Sequence, residues 1–564
     1  MCMMKRYVVS LAAVMSFMTA GAQTVTPQAC EQSIVTPKAE GRYLWLPVQE
    51  SAPEGKVQVI VNGSLQTEQN VRMAREQVDY YVALDLLPYR DKGALRVCVQ
   101  NVPTGSVCFS KLAQNDDAAF ALIRERHRPL YHHTPERGWM NDPNGMFYKD
   151  GVWHLYYQYN PYGSMWGNMH WGHSSSADLV HWKDEGVALA PDVWGTMFSG
   201  SCVTLGERVV AMYTSSRPTP FGADVQAQCL AFSDDGGKTF SKYESNPVLT
   251  GEDPDFRDPR PFWNEDIKAW NLILAVGQEM RIYSSPDLKA WTYESSFGKD
   301  FGCHDGVWEC PDLFPLTSAS GARQWVLVCN INPGGPFGGS GTQYFVGQFD
   351  GHRFTVDNPD RYAGGKALWL DYGKDHYAAV SFCNAPDARR TMLAWMSNWQ
   401  YANQVPTMQF RSANSIPRDL RLFEYQGDTY VASVPSGEML SARGAKVRQP
   451  QEACEIVVDL KKHSEIVLSN PQGEQVVMRY DAVAQTFSMD RTKSGNVGFS
   501  ADFPCVTVAP TYGAVKQLRI FIDRCSVEVF DADGKMAMTN LVFPSEPYNN
   551  LSIKGGKATI YEIK

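Results

Sequence analysis

The chain of 564 residues is short of basic charge: Lys and Arg number 52 against 61 Asp and Glu, a formal net charge of -9. It therefore lacks the positive footprint with which proteins neutralise phosphate, and no nucleic acid is expected as a partner. Beyond its first residues it has no apolar run approaching the roughly 20 residues that span a bilayer, so no membrane span is expected. It has no CxxC pair and no Cys/His cluster with zinc spacing, and we expect no metal site and no cofactor. His132 and His133 do not change this, because neighbours on a strand point to opposite faces and make a poor ligand pair. No amphipathic helix of any length is evident. The 13 cysteines are scattered and odd in number, so at least one has no partner within the chain. Cys98 and Cys108 are the nearest candidates for a disulfide. Buried free thiols are the competing reading, since cysteine packs as a small hydrophobe.

Aromatic residues, by contrast, are plentiful at 12%, with 15 Trp, 26 Tyr and 26 Phe. Such side chains combine a large apolar face with a polar tip, which suits β cores and sugar-binding sites alike. The N-terminus reads as a targeting segment over residues 1–22. Lys5 and Arg6 precede an apolar run from Tyr7 to Met18, and Ala20-Gly21-Ala22 is an A-x-A cleavage site. No cysteine follows it directly, so no lipid anchor is indicated. The mature chain is expected to be exported, periplasmic or secreted. The sequence does not set its oligomeric state.

Length alone suggests three or four domains. Residues 23–118 read as a small β domain, with strands at Lys56–Val61, Asp79–Leu84 and Leu95–Val99 and a hairpin turn at Asn62-Gly63. From 125 to 430 a polar turn ending in an aromatic recurs. Ser175–Trp182, Ser233–Phe240 and Ser284–Trp291 are its clear copies, and Phe349–Phe354 is a degenerate one. A spacing of about 50 to 60 residues, with strand runs such as Trp153–Tyr157 and Val209–Tyr213 between copies, marks β-propeller blades. The span accommodates five. Residues 431–446 read as a Ser/Pro/Gly-rich linker. Beyond them, over 447–564, alternating runs such as Leu518–Ile522 and Ser526–Phe530 suggest half-buried strands of a β-sandwich. The fold class is thus all-β: a five-bladed propeller, a C-terminal sandwich and an extra N-terminal β domain.

Three acidic residues have unusual neighbours. Asp142 lies in Trp139-Met140-Asn141-Asp142-Pro143-Asn144-Gly145, Asp258 in Phe256-Arg257-Asp258-Pro259-Arg260, and Glu309 in Trp308-Glu309-Cys310-Pro311-Asp312. A proline biases the residue before it toward extended backbone, which helps to aim a side chain. Aromatic neighbours lower the local dielectric, and Arg257 offers Asp258 a compensating charge. A lone Asp-Pro is ordinarily a turn signal. Here the three sites fall in different blades, whose strands converge on one axis, so the carboxyls can meet in a funnel. Two carboxyls across a glycosidic bond are what its hydrolysis requires, one to attack and one to protonate the leaving oxygen. A third can hold sugar hydroxyls.

In order, Trp139–Gly145, Phe198-Ser199-Gly200-Ser201, Arg257-Asp258-Pro259 and Glu309-Cys310 resemble the signatures of glycoside hydrolase family 32, the invertases, inulinases and levanases. Gln158–Pro161, Trp166–His173 and Trp395–Tyr401 support the resemblance. So does Asp523–Phe530, with Cys525 where the family usually has serine. The resemblance covers about residues 130–560 and implies a propeller followed by a sandwich, with no metal. It implies a retaining β-fructofuranosidase with Asp142 as nucleophile, Glu309 as acid/base and Asp258 as transition-state stabiliser. Trp139, Asn141, Gln158, Trp166, Phe198, Ser199, Arg257 and Trp399 match substrate-binding positions, with Trp395 a rival to Trp399. Cys310 is implied as a weak polar neighbour that tunes the acid, and Ser201 as structural. The expected substrate is a fructan, levan or inulin, or sucrose, with terminal fructose released. Endo-acting cleavage is the alternative within this chemistry, and a glycan-binding propeller without turnover is the alternative outside it.

Overall fold

The computed structural model describes residues 24–220 and 222–564; the expected signal segment lies outside the described residues. The chain divides into two compact units, with the boundary between Ile123 and Arg124.

The first unit is built on two antiparallel sheets. One has five strands in the spatial order Thr24–Ala29, Gln32–Thr36, Leu95–Gln100, Gly55–Val61, Ser64–Val71, and the other pairs Tyr43–Val48 with Tyr80–Asp85 and Ala113–Asn115. In Gly55–Val61 every second residue is buried, the period of a strand with one face on a core. Asn62 and Gly63 both take positive φ, as a tight hairpin turn requires. Cys98 and Cys108 are both buried free thiols, so that disulfide does not form.

In the second unit five antiparallel sheets follow one another as blades. Their innermost strands are Gly138–Lys149, Thr196–Leu205, Phe256–Asn264, Val307–Thr317 and Tyr377–Ser381. Each innermost strand touches the next, and the fifth touches the first, so the ring closes. Closure is sealed by Phe410-Arg411, which pairs in parallel with Gly138-Trp139 of the first blade. The recurring polar turns join the third and fourth strands of successive blades. In the first, Asp178 accepts from the backbone N–H of Val180 and His181, and the Trp182 indole donates to the Leu179 carbonyl. Asp287, Leu288 and Trp291 repeat this in the third blade. The repeat is therefore an Asp-stapled turn that anchors an aromatic residue between sheets.

Residues 431–446 are not a linker. Asp428–Pro435 is the outer strand of the fifth blade, Gly437–Ser441 is a helical turn, and Arg443–Val447 pairs with the last strand, Asn550–Ile563. Small polar residues there reflect close packing: Ser433 and Ser436 are buried. In the C-terminal sandwich the long strand Cys454–Ser469 pairs with Gln517–Asp523 along its first half and with Gln475–Asp481 along its second. One strand thereby serves both layers, around a core that includes Ile456, Leu468, Phe487 and Val529. Leu518–Ile522 and Ser526–Phe530 are buried throughout, not half-buried as the alternation suggested. Their second face packs on the propeller: Phe521 and Phe530 share a cluster with Tyr131, Val180 and Ile416.

Candidate active site

All five innermost strands carry the same irregularity at their first half. Between Met140 and Pro143, Met197 and Gly200, Arg257 and Arg260, Glu309 and Asp312, and Tyr377 and Val380, the inner strand has one residue more than its neighbour. A β-bulge of this kind bends the strand and re-aims side chains that would otherwise lie in the sheet face. Asn141-Asp142, Phe198-Ser199, Asp258 and Cys310 sit inside the bulges, and Arg257, Glu309 and Tyr377 stand at their first positions. Asp258 and Cys310 take φ of +64° and +43°, left-handed conformations that are costly for side-chain-bearing residues and concentrate at functional sites. The extended backbone that proline predicts for Asp258 is thus overridden by its bulge. Gly200 closes the second bulge because a Cβ there would lie 2.0 Å from the Met212 carbonyl.

The bulges open into one pocket of about 400 Å³, within the range of small-ligand sites. Asn141, Asp142, Gln158, Trp166, Phe198, Ser199, Arg257, Asp258, Glu309 and Trp399 all line it. Asp142 is held on both oxygens. Asn141 Nδ2 donates to Oδ1 at 2.9 Å, while Ser199 Oγ at 2.8 Å and the Cys310 thiol at 3.5 Å approach Oδ2. Asp258 accepts from the Cys310 backbone N–H at 2.8 Å, and its own N–H donates to Thr214 Oγ1 at 3.0 Å. Glu309 receives Arg257 on Oε1, from Nε at 3.2 Å and Nη2 at 3.0 Å, and the Tyr377 hydroxyl on Oε2.

Burial raises the pKa of Asp142 above its ordinary value, and the nearby Glu309 charge adds to it, against the bonds from Asn141, Ser199 and Cys310. Burial pushes Asp258 up to about 7; Arg257 opposes this, while Glu309 and Asp142 reinforce it. Asp142 and Asp258 thus both resist ionisation in this pocket, where neighbouring carboxylate charge adds to burial.

Two expectations change. Trp139 is fully buried and does not line the pocket. Its indole donates to Asn141 Oδ1 at 2.8 Å and its ring stacks on Trp399 at 5.7 Å, so it supports two wall residues from behind. Arg257 gives Asp258 the expected compensating charge but no hydrogen bond: its hydrogen bonds go to Glu309, to Asp255 at 2.5 Å and to Gln226 at 3.5 Å. Of Trp395 and Trp399, only Trp399 reaches the pocket, since Trp395 is buried. Trp166, 45% exposed, stands at the rim edge-on to Phe198. Ser201 is buried deeper on the axis, near Arg260.

Sequence reasoning missed Gln226, Asp255, Val307 and Asn332 in the wall, and Tyr377 on Glu309. Asp255 and Val307 each directly precede a recognised motif, while Gln226 and Asn332 lie in none. Tyr377 becomes evident through register, because it occupies in the fifth blade the place that Arg257 and Glu309 occupy in theirs. His132 and His133 lie away from this pocket: His132 bridges Asp523 and Glu528 at 2.8 Å each, and His133 meets Asn414 and Ser174.

Comparison with known proteins agrees with this architecture. Residues 132–433 match the description Glycosyl hydrolases family 32 N-terminal domain, and 436–564 match Glycosyl hydrolases family 32 C terminal. Residues 30–131 match a domain of unknown function. A levanase of Bacillus subtilis is 43% identical over 480 residues, covering 78% of this chain and 69% of the relative. An extracellular exo-inulinase of Aspergillus niger is 37% identical over 483 residues, covering 74% of this chain and 90% of the relative. The crystal structure of exo-inulinase from Aspergillus awamori superimposes with a TM-score of 0.72 at 33% identity, over 78% of this chain and 99% of that one.

Proposed function

Because this chain belongs to glycosyl hydrolases family 32, whose levanase and exo-inulinase members are its relatives, we propose the following roles within its cleavage of β-fructofuranosyl bonds. The ionised Asp142 attacks the anomeric carbon of a terminal fructosyl unit. Glu309 gives its proton to the departing glycosidic oxygen, leaving a fructosyl ester on Asp142. Glu309 then takes a proton from water as that water attacks the ester, free fructose leaves, and both carboxyls return to their starting states. Asp258 and Asn141 hold fructose hydroxyls, and Trp166, Phe198 and Trp399 form the apolar wall against the ring.

The observation that carries this reading is the convergence of Asp142, Asp258 and Glu309, from three blades, into one pocket. Asp142 is fixed by three donors, which a nucleophile needs in order to keep its aim. Glu309 is placed between a guanidinium and a phenol, which suits a group that must exchange a proton twice. Release of one terminal fructose at a time fits the relatives described as exo-inulinases. Action outside the cytoplasm fits the description of those relatives as extracellular and the targeting pattern of residues 1–22. Digestion of levan, inulin and sucrose, followed by chromatography, tests the mode of action. Fructose alone from the earliest time points is the expected product, and early oligosaccharides would show endo cleavage instead.

A further inference from the structure

The innermost strands have a second end. Where their first halves open into the catalytic pocket, the last residues of the second, third and fourth, with Phe382 just past the fifth, line two adjoining hollows at the other mouth of the propeller axis, of about 360 and 620 Å³. Both hollows share Arg390, Asn384 and Arg323 in their walls. The layer between this mouth and the catalytic pocket is polar and hydrogen-bonded. Arg260 donates to Asp312 at 3.0 Å and to the Ser381 carbonyl at 3.0 Å, and Ser381 donates to Asp312.

Arg390 stands out among the cations there. Arg260 is paired with Asp312, Arg323 with Asp266, and Arg389 with Glu438 and Asp419, while Arg421 in the same wall is exposed to solvent. No carboxylate accepts from Arg390 among the described residues; its hydrogen bond is a long 3.5 Å contact to Ser381 Oγ. Its guanidinium lies 4.7 Å from the Phe314 ring centre, which offsets part of the desolvation but supplies no counter-charge. Burial lowers its pKa from the usual arginine value; the nearby Asp312 charge opposes this without outweighing it, and the repulsion of Arg260 works with burial. In Arg418 and Arg491, which are more deeply buried, carboxylates outweigh that penalty. A half-buried cation with no carboxylate bonded to it is costly to fold around, and the cost falls when an anion arrives. The wall beside it is formed in part by Asn384 and Ala388, with φ of +57° and +53°, so this loop is held in a strained form. Trp263, 41% exposed, adds an apolar face.

We propose that the rear mouth of the propeller is a binding site for a small oxyanion, a carboxylate or a phosphate, held in the fork of Arg390 with the Asn384 amide beside it. Arginine matches both groups because its planar donors meet two oxygens at once. The site is separate from the catalytic pocket and takes a ligand that need not be the substrate.

Isothermal titration of the full chain at low salt tests this, with sodium glucuronate and inorganic phosphate as separate probes and methyl glucoside as the neutral control. At least one oxyanion should bind at a single site, and the neutral sugar should not. Binding of glucuronate alone identifies a carboxylate site, and binding of phosphate alone a phosphate site. R390Q should weaken binding by about tenfold or more, the worth of a charge-assisted contact. R390K keeps the charge without the fork and should fall between. Sucrose hydrolysis should stay within about twofold in both variants, as befits a residue outside the reacting centre. R390Q should melt no lower than the parent without anion and should lose the anion-induced rise in Tm; if it does not fold, R390K decides. Failure of both oxyanions to bind the parent protein, or parental affinity in the folded variants, overturns the proposal.

Discussion

Asp258 holds its proton over a pH range in which an ordinary aspartate has lost it. Its folded pKa of about 7 lies above the unfolded value near 3.9, so the folded state binds more protons between those two values. The sign follows: this residue's contribution is intact below about pH 4 and is lost as pH rises through about 7. Asp258→Asn should therefore raise Tm at pH 7 to 8, with the gain vanishing near pH 4, while fructan hydrolysis is lost. Thermal melts across that range, with activity measured alongside, check both halves. If Asp142 is the nucleophile proposed above, Asp142→Asn should reduce kcat by about 10⁴-fold or more and leave the fold intact. Glu309→Gln should slow sucrose far more than an aryl fructoside whose leaving group needs no proton. In the proposed mechanism Asp142 must be ionised to attack, and its pKa is raised, so the acidic limb of kcat/KM should lie above the ordinary carboxylate range. The limb reports the coupled carboxyls as a set.

The working element is the bulged inner strand, repeated five times. Gly200→Ala tests it, because the added Cβ meets a backbone carbonyl that cannot swing aside. A loss of about 1 to 3 kcal/mol of stability is expected from such overpacking. Activity should fall further than stability, since Ser199 and its bond to Asp142 ride on the same bulge. Urea denaturation and kcat measured on one preparation separate the two effects. This element also shows where sequence reading succeeds and stops. The blades announced themselves through Asp178, Asp235 and Asp287, because a stapled turn depends on side chains within a few residues of each other. The three acids stood out because short motifs surround them. The bulges did not, since an extra residue is defined only against the strand beside it, and that pairing is absent from the linear order. Trp139 shared a motif with Asp142 yet points away from the pocket, and Arg257 reaches past its neighbour Asp258 to Glu309. Tyr377 sits among alanines and valine with no motif at all, and only the closing of the ring brings it to Glu309.

At the scale of the second unit, the propeller and the sandwich are joined by buried charge rather than by apolar contact alone. Arg418 of the fifth blade donates to Asp371 at 2.7 Å and to Glu528 of the sandwich, and His132 bonds Glu528 and Asp523. Asp523 and Glu528 both belong to the motif Asp523–Phe530, so that motif serves docking of the sandwich, and buried Cys525 packs with Met396 and Phe543. Burial alone would lower the His132 pKa, but its two carboxylate partners raise it to about 9. Against an unfolded value near 6.5, the stabilisation is present in full below that pH and is lost as pH rises through about 9. It amounts to up to about 3 kcal/mol. Unfolding free energy should therefore decline from about pH 6.5 to 9 in the parent protein, and His132→Asn should flatten that decline. The central claim, however, is that the whole ring exists to bring Asp142 and Glu309 to the two sides of one fructosyl bond. Its most direct measurement is intact-mass and peptide analysis of Glu309→Gln mixed with an activated aryl β-fructofuranoside and quenched with acid. The account predicts a peptide carrying Asp142 heavier by one fructosyl residue, because attack proceeds and the water step stalls. Unmodified peptide during continued turnover, or a fructosyl group on any other residue, would contradict it.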